Sequence, residues 1–256
     1  MHPYLDAEHP QRLAHRGSRL LWPENTAIAF QGAADLGYRY VETDVQMTRD
    51  RVVVVLHDPT LDRTTNARGR VGDWLWDDLR NVDAGWSFGA AEGFPHRGAG
   101  AGIMRLDEAF ATWPDLRFNI DLKSPGLEWP VAEAILRAGR ADTALVASFS
   151  ERRVARFRRI TGGTVATSAG AAGVARLLAA ARTGRTPPRV AAYQIPFETR
   201  GLRVDARLVD AAHGAGAAVH VWTVNDPAAM ERALDTGVDG IVTDRPDLLN
   251  EVLRGR

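Results

Sequence analysis

Short β-branched runs alternate with Ala- and Leu-rich stretches of helical period along most of the chain. The runs are RLAHRG (12–17), YVETDV (40–45), VVVVLHD (52–58), RFNIDLK (117–123), ALVASFS (144–150), TVATSA (164–169), RVAAYQIPF (189–197), AVHVWTV (218–224) and DGIVTD (239–244). Helical stretches between them are Glu24–Leu36, with Gly37 as a stop, and Leu106–Trp113, Trp129–Ala138, Glu151–Ile160, Ala171–Arg182, Leu208–Gly214 and Ala228–Asp235. Strand–helix alternation of this kind predicts parallel β/α units. A length of 256 residues suits one TIM (β/α)8 barrel. Nine strand candidates compete for eight places. The link between 45 and 52 is too short for a helical crossover. The second and third runs therefore form a hairpin, or one of them stands outside the ring. From about 59 to 104 the period lapses into Gly-, Trp- and Asp-rich sequence, read as an insertion after the third strand candidate in a single barrel domain spanning 1–256.

Composition narrows this further. Hydrophobic residues make up 45% of the chain, enough for a sizeable core, and the formal net charge is zero, which argues against nucleic acid as a partner. No cysteine is present, so disulfides and thiolate metal sites are excluded. No run reaches the ~18–20 apolar residues of a membrane span. The opening MHPYLDAEHPQR lacks the apolar segment of a secretory signal, and a cytoplasmic location is expected. The sequence carries no signal of oligomeric state. The 32 basic residues include a single lysine, Lys123.

In a parallel barrel, side chains at the C-terminal strand ends form the site. His15 and Arg16 end the first run, Glu42 and Asp44 lie on the second, and His57 and Asp58 end the third. Asp121 and Lys123 end the run after the insertion, and Trp222 and Asn225 close AVHVWTV. Two residues apart on a strand, Glu42 and Asp44 point the same way and repel unless a cation stands between them. Arginine pairing explains that spacing as well. Asp121 at a matching strand end adds a third oxygen ligand, which suits a hard divalent ion, Mg²⁺ or Ca²⁺. Two strand-end imidazoles beside such a cluster suit acid/base work. His2, His9, His213 and His220 read as ordinary. A second HRG, at 96–98, follows no strand and reads as surface loop. Arg16 can present a planar fork to a phosphate, and Lys123 adds a point charge. The inventory fits an anionic phosphoryl group attacked at phosphorus.

These residues resemble a known family. HRG (15–17), PENT (23–26), VETDVQMTRD (41–50), VVVVLHDPTLDRTT (52–65), FNIDLK (118–123), VWTVN (221–225) and DGIVTDRPD (239–247) occur in the order seen in glycerophosphodiester phosphodiesterases. The resemblance implies a TIM barrel with an insertion after the His-Asp motif. It implies one divalent cation on Glu42, Asp44 and Asp121, with His15 and His57 as acid and base. Arg16 and Lys123 would contact phosphate, and Trp222 would wall the glycerol or leaving group. The implied reaction hydrolyses a small-molecule glycerophosphodiester to glycerol 3-phosphate and an alcohol. The third acid is more often Glu in that family, Arg51 stands where Gly is frequent, and MRLDE (104–108) replaces a Pro-Thr-Leu-Glu. Two other readings stand beside this one. A phospholipase D-like or cyclising lyase acting on lysophospholipids would want an apolar channel, for which the insertion offers Trp74, Trp76, Trp86, Phe88 and Phe94. A non-catalytic phosphodiester-binding barrel could dispense with some of the acids or histidines, yet the full set is present.

Overall fold

Residues 2–199 and 202–256 are described by a computed structural model. Eight parallel strands form the ring: β1 (Gln11–His15), β2 (Tyr40–Met47), β4 (Arg117–Leu122), β5 (Ala144–Ala147), β6 (Ala166–Thr167), β7 (Ala192–Pro196), β8 (Ala218–Trp222) and β9 (Gly240–Thr243). The ninth, β3 (Val53–Val55), lies outside the ring. It runs antiparallel to β2, pairing Val45 with Val55 and Met47 with Val53. Both readings of the second and third runs hold: they form a hairpin, and the third run stands outside the ring. His57 sits past the end of β3 instead of ending a strand. The ring closes where β9 pairs with β1. Between β6 and β7 the seam is thin, a single parallel bridge from Ser168 to Ala192.

The alternation of side chains assigns the two faces. Phe118, Ile120 and Leu122 point outward into a cluster with Phe30 and Phe110 of the surrounding helices. Leu13, Tyr40, Leu145, Ala166, Ala192 and Val242 fill the barrel interior. Tyr4 and Leu5 of the N-terminal arm, both fully buried, plug its lower end. The helices follow the predicted stretches closely: α1 (Ala27–Asp35), α3 (Leu106–Thr112), α4 (Glu128–Arg137), α5 (Glu151–Ile160), α6 (Ala171–Thr183), α7 (Ala206–His213) and α8 (Pro227–Asp235). At the start of the 106–113 stretch, Glu108 reaches back and accepts from the Arg105 N–H at 3.0 Å, the half of a capping box that an arginine N-cap allows. A closing helix, α9 (Pro246–Arg254), follows β9 and goes beyond the periodic stretches read above. Its Pro246 at the first turn is a start signal in the sequence itself.

The insertion holds one short helix, α2 (Trp76–Leu79), and packs Leu61, Val71, Leu79, Val82 and Ile103 against Val54 and Leu56. Its second HRG lies in a surface loop, as expected. Arg97 lies 4.1 Å from the Trp86 ring centre and 3.7 Å from that of Phe94. No described helix is long and apolar enough to cross a membrane.

Two features set measurable stabilities. His220 is fully buried inside the barrel, beside Gln194. Burial pushes its imidazole down to about 4, against the upward pull of Asp239 and with a small downward push from His9. Above pH 6.5 His220 is neutral folded or unfolded. As pH falls from 6.5 toward 4 the unfolded chain takes up a proton that the folded one refuses, at a cost of roughly 3 kcal/mol. Denaturant titrations should show this loss in the native chain and a smaller one in His220→Gln. Arg51 holds a left-handed backbone at φ +68° and is exposed. Glycine occupies that region freely, so Arg51→Gly should raise the unfolding free energy by about 0.5–1 kcal/mol; a lower midpoint would contradict this.

Candidate active site

The strand alternation that buries Leu13 also turns His15 inward. It does the same for Glu42 and Asp44 on β2, Asp121 on β4 and Trp222 on β8. At the upper rim they meet Arg16, His57 and Lys123 around one cavity of about 550 Å³. All eight residues to which the resemblance gives a role line it, while Asp58 and Asn225, also named from the sequence, do not. Its far side is mostly apolar or small: Phe149, Ala169, Val174, Pro196 and Trp222. The Phe149 and Trp222 rings meet edge-on at 5.8 Å. None of the five insertion aromatics lines the cavity, so the channel a lysolipid would want is not built from them.

Local backbone explains the HRG and PENT motifs. Just past β1, Arg16 and Gly17 both take left-handed backbone, at φ +53° and +74°. A Cβ on Gly17 would stand 2.7 Å from Ala29 Cβ and 2.8 Å from the Phe30 ring, so only glycine lets α1 approach. The turn brings the Arg16 guanidinium to Asp44 (Nε to Oδ2, 3.1 Å) and to Glu24 (2.9 Å). Asn25 is also left-handed, at φ +59°, and donates to Asp44 Oδ2 at 3.2 Å while accepting from Thr43. Thr26 then caps α1.

The carboxylates are crowded. Asp44 and Asp121 stand in register on β2 and β4, and Glu42 is opposite Asn119. The Lys123 ammonium lies between the two aspartates, 2.9 Å from Asp44 and 2.6 Å from Asp121. Burial and the neighbouring Asp44 push the Glu42 carboxyl up. Burial would also raise Asp44, but Lys123 and Arg16 outweigh it and hold the group below the usual range. Asp121 stays raised because burial exceeds the help from Lys123. For Lys123, burial acts downward, yet Asp44 and Asp121 lift the ammonium well above its ordinary value. Four buried oxygens here lack a hydrogen-bond donor: Glu42 Oε2, Asp44 Oδ1, Asp121 Oδ1 and Asn119 Oδ1. Asp44 Oδ1 has Lys123 at ion-pair distance but outside hydrogen-bond geometry. Orphaned buried oxygens of this kind call for a cation or water, and an all-oxygen donor set suits Mg²⁺ or Ca²⁺. As they stand, no three Asp, Glu, His or Cys side chains among the described residues are gathered tightly enough to form a ligand cage. With Lys123 drawn between two of them, the acids fit a divalent ion in the chemistry of their donor oxygens.

Each imidazole has a carboxylate behind it. His15 Nδ1 lies 2.6 Å from Asp244 Oδ1, and its Nε2 lies 3.7 Å from Glu42. Asp244 is fully buried, and burial acts to raise it. Bonds from His15 and Asn225 and the charge of Arg19 prevail and keep it ionised. His57 Nδ1 lies 2.5 Å from Asp58. Such contacts favour the tautomer with the proton on Nδ1 and leave Nε2 as the unprotonated nitrogen. Arg63, from the insertion, holds Asp58 at 2.6 Å and Glu24 at 2.6 Å. It thus braces the supports of both His57 and Arg16. The strand-end reading passes over Asp244, Glu24 and Arg63. All three nonetheless fall inside the motifs quoted from the sequence, Glu24 in PENT, Arg63 in VVVVLHDPTLDRTT and Asp244 in DGIVTDRPD, and Asp244 follows directly on the last strand of the ring.

Comparison with known proteins identifies the family. The model of the Glycerophosphoryl diester phosphodiesterase family matches residues 15–248. The chain is 39% identical over 253 residues to the Probable glycerophosphodiester phosphodiesterase 2 of Mycobacterium tuberculosis, covering 95% of this chain and 90% of the relative. It is 32% identical to a glycerophosphodiester phosphodiesterase of Caldanaerobacter subterraneus subsp. tengcongensis, over 94% of this chain and 97% of the other. Among solved structures, an Oleispira antarctica phosphodiesterase in complex with the product sn-glycerol-3-phosphate superposes with a TM-score of 0.78 at 24% identity, over 96% of this chain and 97% of that one. The chain belongs to the glycerophosphoryl diester phosphodiesterase family and is an enzyme of that class.

Proposed function

We propose that this chain hydrolyses small glycerophosphodiesters to sn-glycerol 3-phosphate and an alcohol, with a divalent cation held by Glu42, Asp44 and Asp121. The observation that carries the reading is the meeting, in one cavity, of three acids with buried, orphaned oxygens and two imidazoles backed by carboxylates. The product bound to the Oleispira antarctica relative supports the substrate class. When bound, the ion offsets the negative charge of the phosphodiester as it builds in the transition state.

The protein's own residues do the rest. Arg16 and Lys123 line the cavity and add positive charge beside the phosphoryl oxygens. One imidazole accepts a proton from the nucleophilic oxygen at Nε2. The other donates its proton to the departing alkoxide, so the P–O bond to the alcohol breaks as the new one forms. The nucleophile is water or the substrate's own 2-hydroxyl. The second route is intramolecular, gains from orientation, and passes through a cyclic phosphate that water then opens. Asp244 and Asp58 hold the imidazoles in place throughout. Phe149 and Trp222 shield the organic part of the ester from solvent. Of the two other readings, the lysolipid one loses its insertion-built channel, and the binding-only barrel is set aside by family membership.

His15→Ala and His57→Ala should each lower kcat by about 10²–10⁴-fold while the fold persists, since each removes one proton-transfer role. Asp244→Asn should cost a smaller part of kcat, with KM little changed. Near-normal turnover in either alanine variant removes the acid/base assignment. Exhaustive chelation should abolish hydrolysis of glycerophosphocholine, and adding back Mg²⁺ or Ca²⁺ should restore it. Full activity after chelation ends the cation proposal while leaving the histidine roles to their own test. Phosphorus NMR of the reaction would reveal the cyclic phosphate if the 2-hydroxyl attacks.

A further inference from the structure

The zero net charge of the chain hides a strong local excess. Residues 152–197 contain nine arginines and no aspartate or glutamate. This segment supplies α5, α6 and the strands between and after them. None of the nine makes an ion pair among the described residues, whereas arginines elsewhere pair repeatedly. Two are spent inward: Arg153 donates to the Leu122 carbonyl and Ser148, and Arg158 to Thr167. The remaining seven are exposed. Arg152, Arg156 and Arg159 fall four and three residues apart on α5, which places them on one outward stripe. Arg176 and Arg182 continue the charge along α6.

Apolar side chains border this basic face. On α4, which packs beside α5, Trp129 is 59% exposed and Leu136 is 48% exposed. They are seven residues apart, on one outward side. Phe149, 65% exposed, stands on the rim of the catalytic cavity directly before α5. Three of the five large apolar residues exposed among those described thus lie on or beside this one face. Unpaired arginines flanked by exposed Trp, Leu and Phe have the make-up of surfaces that sit on anionic membranes. A nucleic acid would take the charge but has no use for Trp129 and Leu136 on a helix flank.

We infer that the α4–α6 face docks the enzyme on anionic phospholipid bilayers, with the cavity rim at Phe149 turned toward the lipid. This goes beyond the proposed hydrolysis, and the choice of lipid leans partly on that substrate class. Binding and turnover are therefore measured separately, so either can fail alone.

The probe is a set of vesicles, phosphatidylcholine alone or mixed with phosphatidylglycerol, in a sedimentation assay at low and high salt. The native chain should bind the mixed vesicles, leave the neutral ones largely unbound, and be released by salt. The triple variant Arg152→Gln, Arg156→Gln, Arg159→Gln should bind the mixed vesicles about a hundredfold more weakly, since each basic side chain near the surface is worth about 1 kcal/mol. Its turnover of soluble glycerophosphocholine should match the native chain, which also shows that it folds. Trp129→Ser should weaken binding in a manner insensitive to salt. No binding to mixed vesicles, equal binding to both kinds, or native-like binding by the triple variant overturns the proposal. Displacement from mixed vesicles by duplex DNA at equal ionic strength overturns the lipid assignment in favour of a nucleic-acid surface.

Discussion

The buried negative charge at the β2–β4 junction is the constraint around which the upper half of the barrel is arranged. Glu42, Asp44 and Asp121 stand on neighbouring strands, the two aspartates buried and the Glu42 side chain only 12% exposed. Two buried carboxylates at such spacing repel strongly in a medium of low effective dielectric. The chain answers with its single lysine and with the arginine that follows β1. Even then oxygens are left over. The left-handed Arg16, the glycine under α1 and the inward-facing Asn25 all follow from the need to bring donors to Asp44.

The same economy governs the histidines. An imidazole at a barrel mouth can rotate and change tautomer freely. Here Asp244 and Asp58 fix both rings from behind. Asp244 comes from the last strand of the ring and His15 from the first, so the contact crosses the closing seam of the barrel. Ring closure and site assembly are one event: a chain that failed to pair β9 with β1 would also leave His15 without its support.

Much of this was legible in the sequence, for a definite reason. Strand alternation and the rule that parallel barrels work at their C-terminal mouths were enough to gather His15, Glu42, Asp44, Asp121, Lys123 and Trp222. What stayed hidden depends on contacts between distant segments. Nothing in TDRPD (243–247) announces that Asp244 reaches back to His15, 229 residues away. The ends of β5 and β6 were overextended, because ALVASFS and TVATSA keep their β-branched and small residues past the point where the ladder stops. The C-terminal helix went unread for the opposite reason. Its start lies in the charged stretch RPD, which reads as a motif ending before it reads as a helix beginning. The basic face on α5 and α6 was open to counting. A zero total conceals it, since local charge is set by where acids are missing.

Arg63 gives the insertion a significance that its distance from the chemistry would not suggest. One guanidinium, carried on an excursion outside the ring, grips the carboxylate behind His57 and the carboxylate behind Arg16. The excursion is thus a keystone and not an ornament. Loop grafts that trim it for compactness, or exchange it for a relative's, would have to deliver an equivalent cation to the same spot. Otherwise the His57 side of the mouth and its Arg16 side would come adrift together.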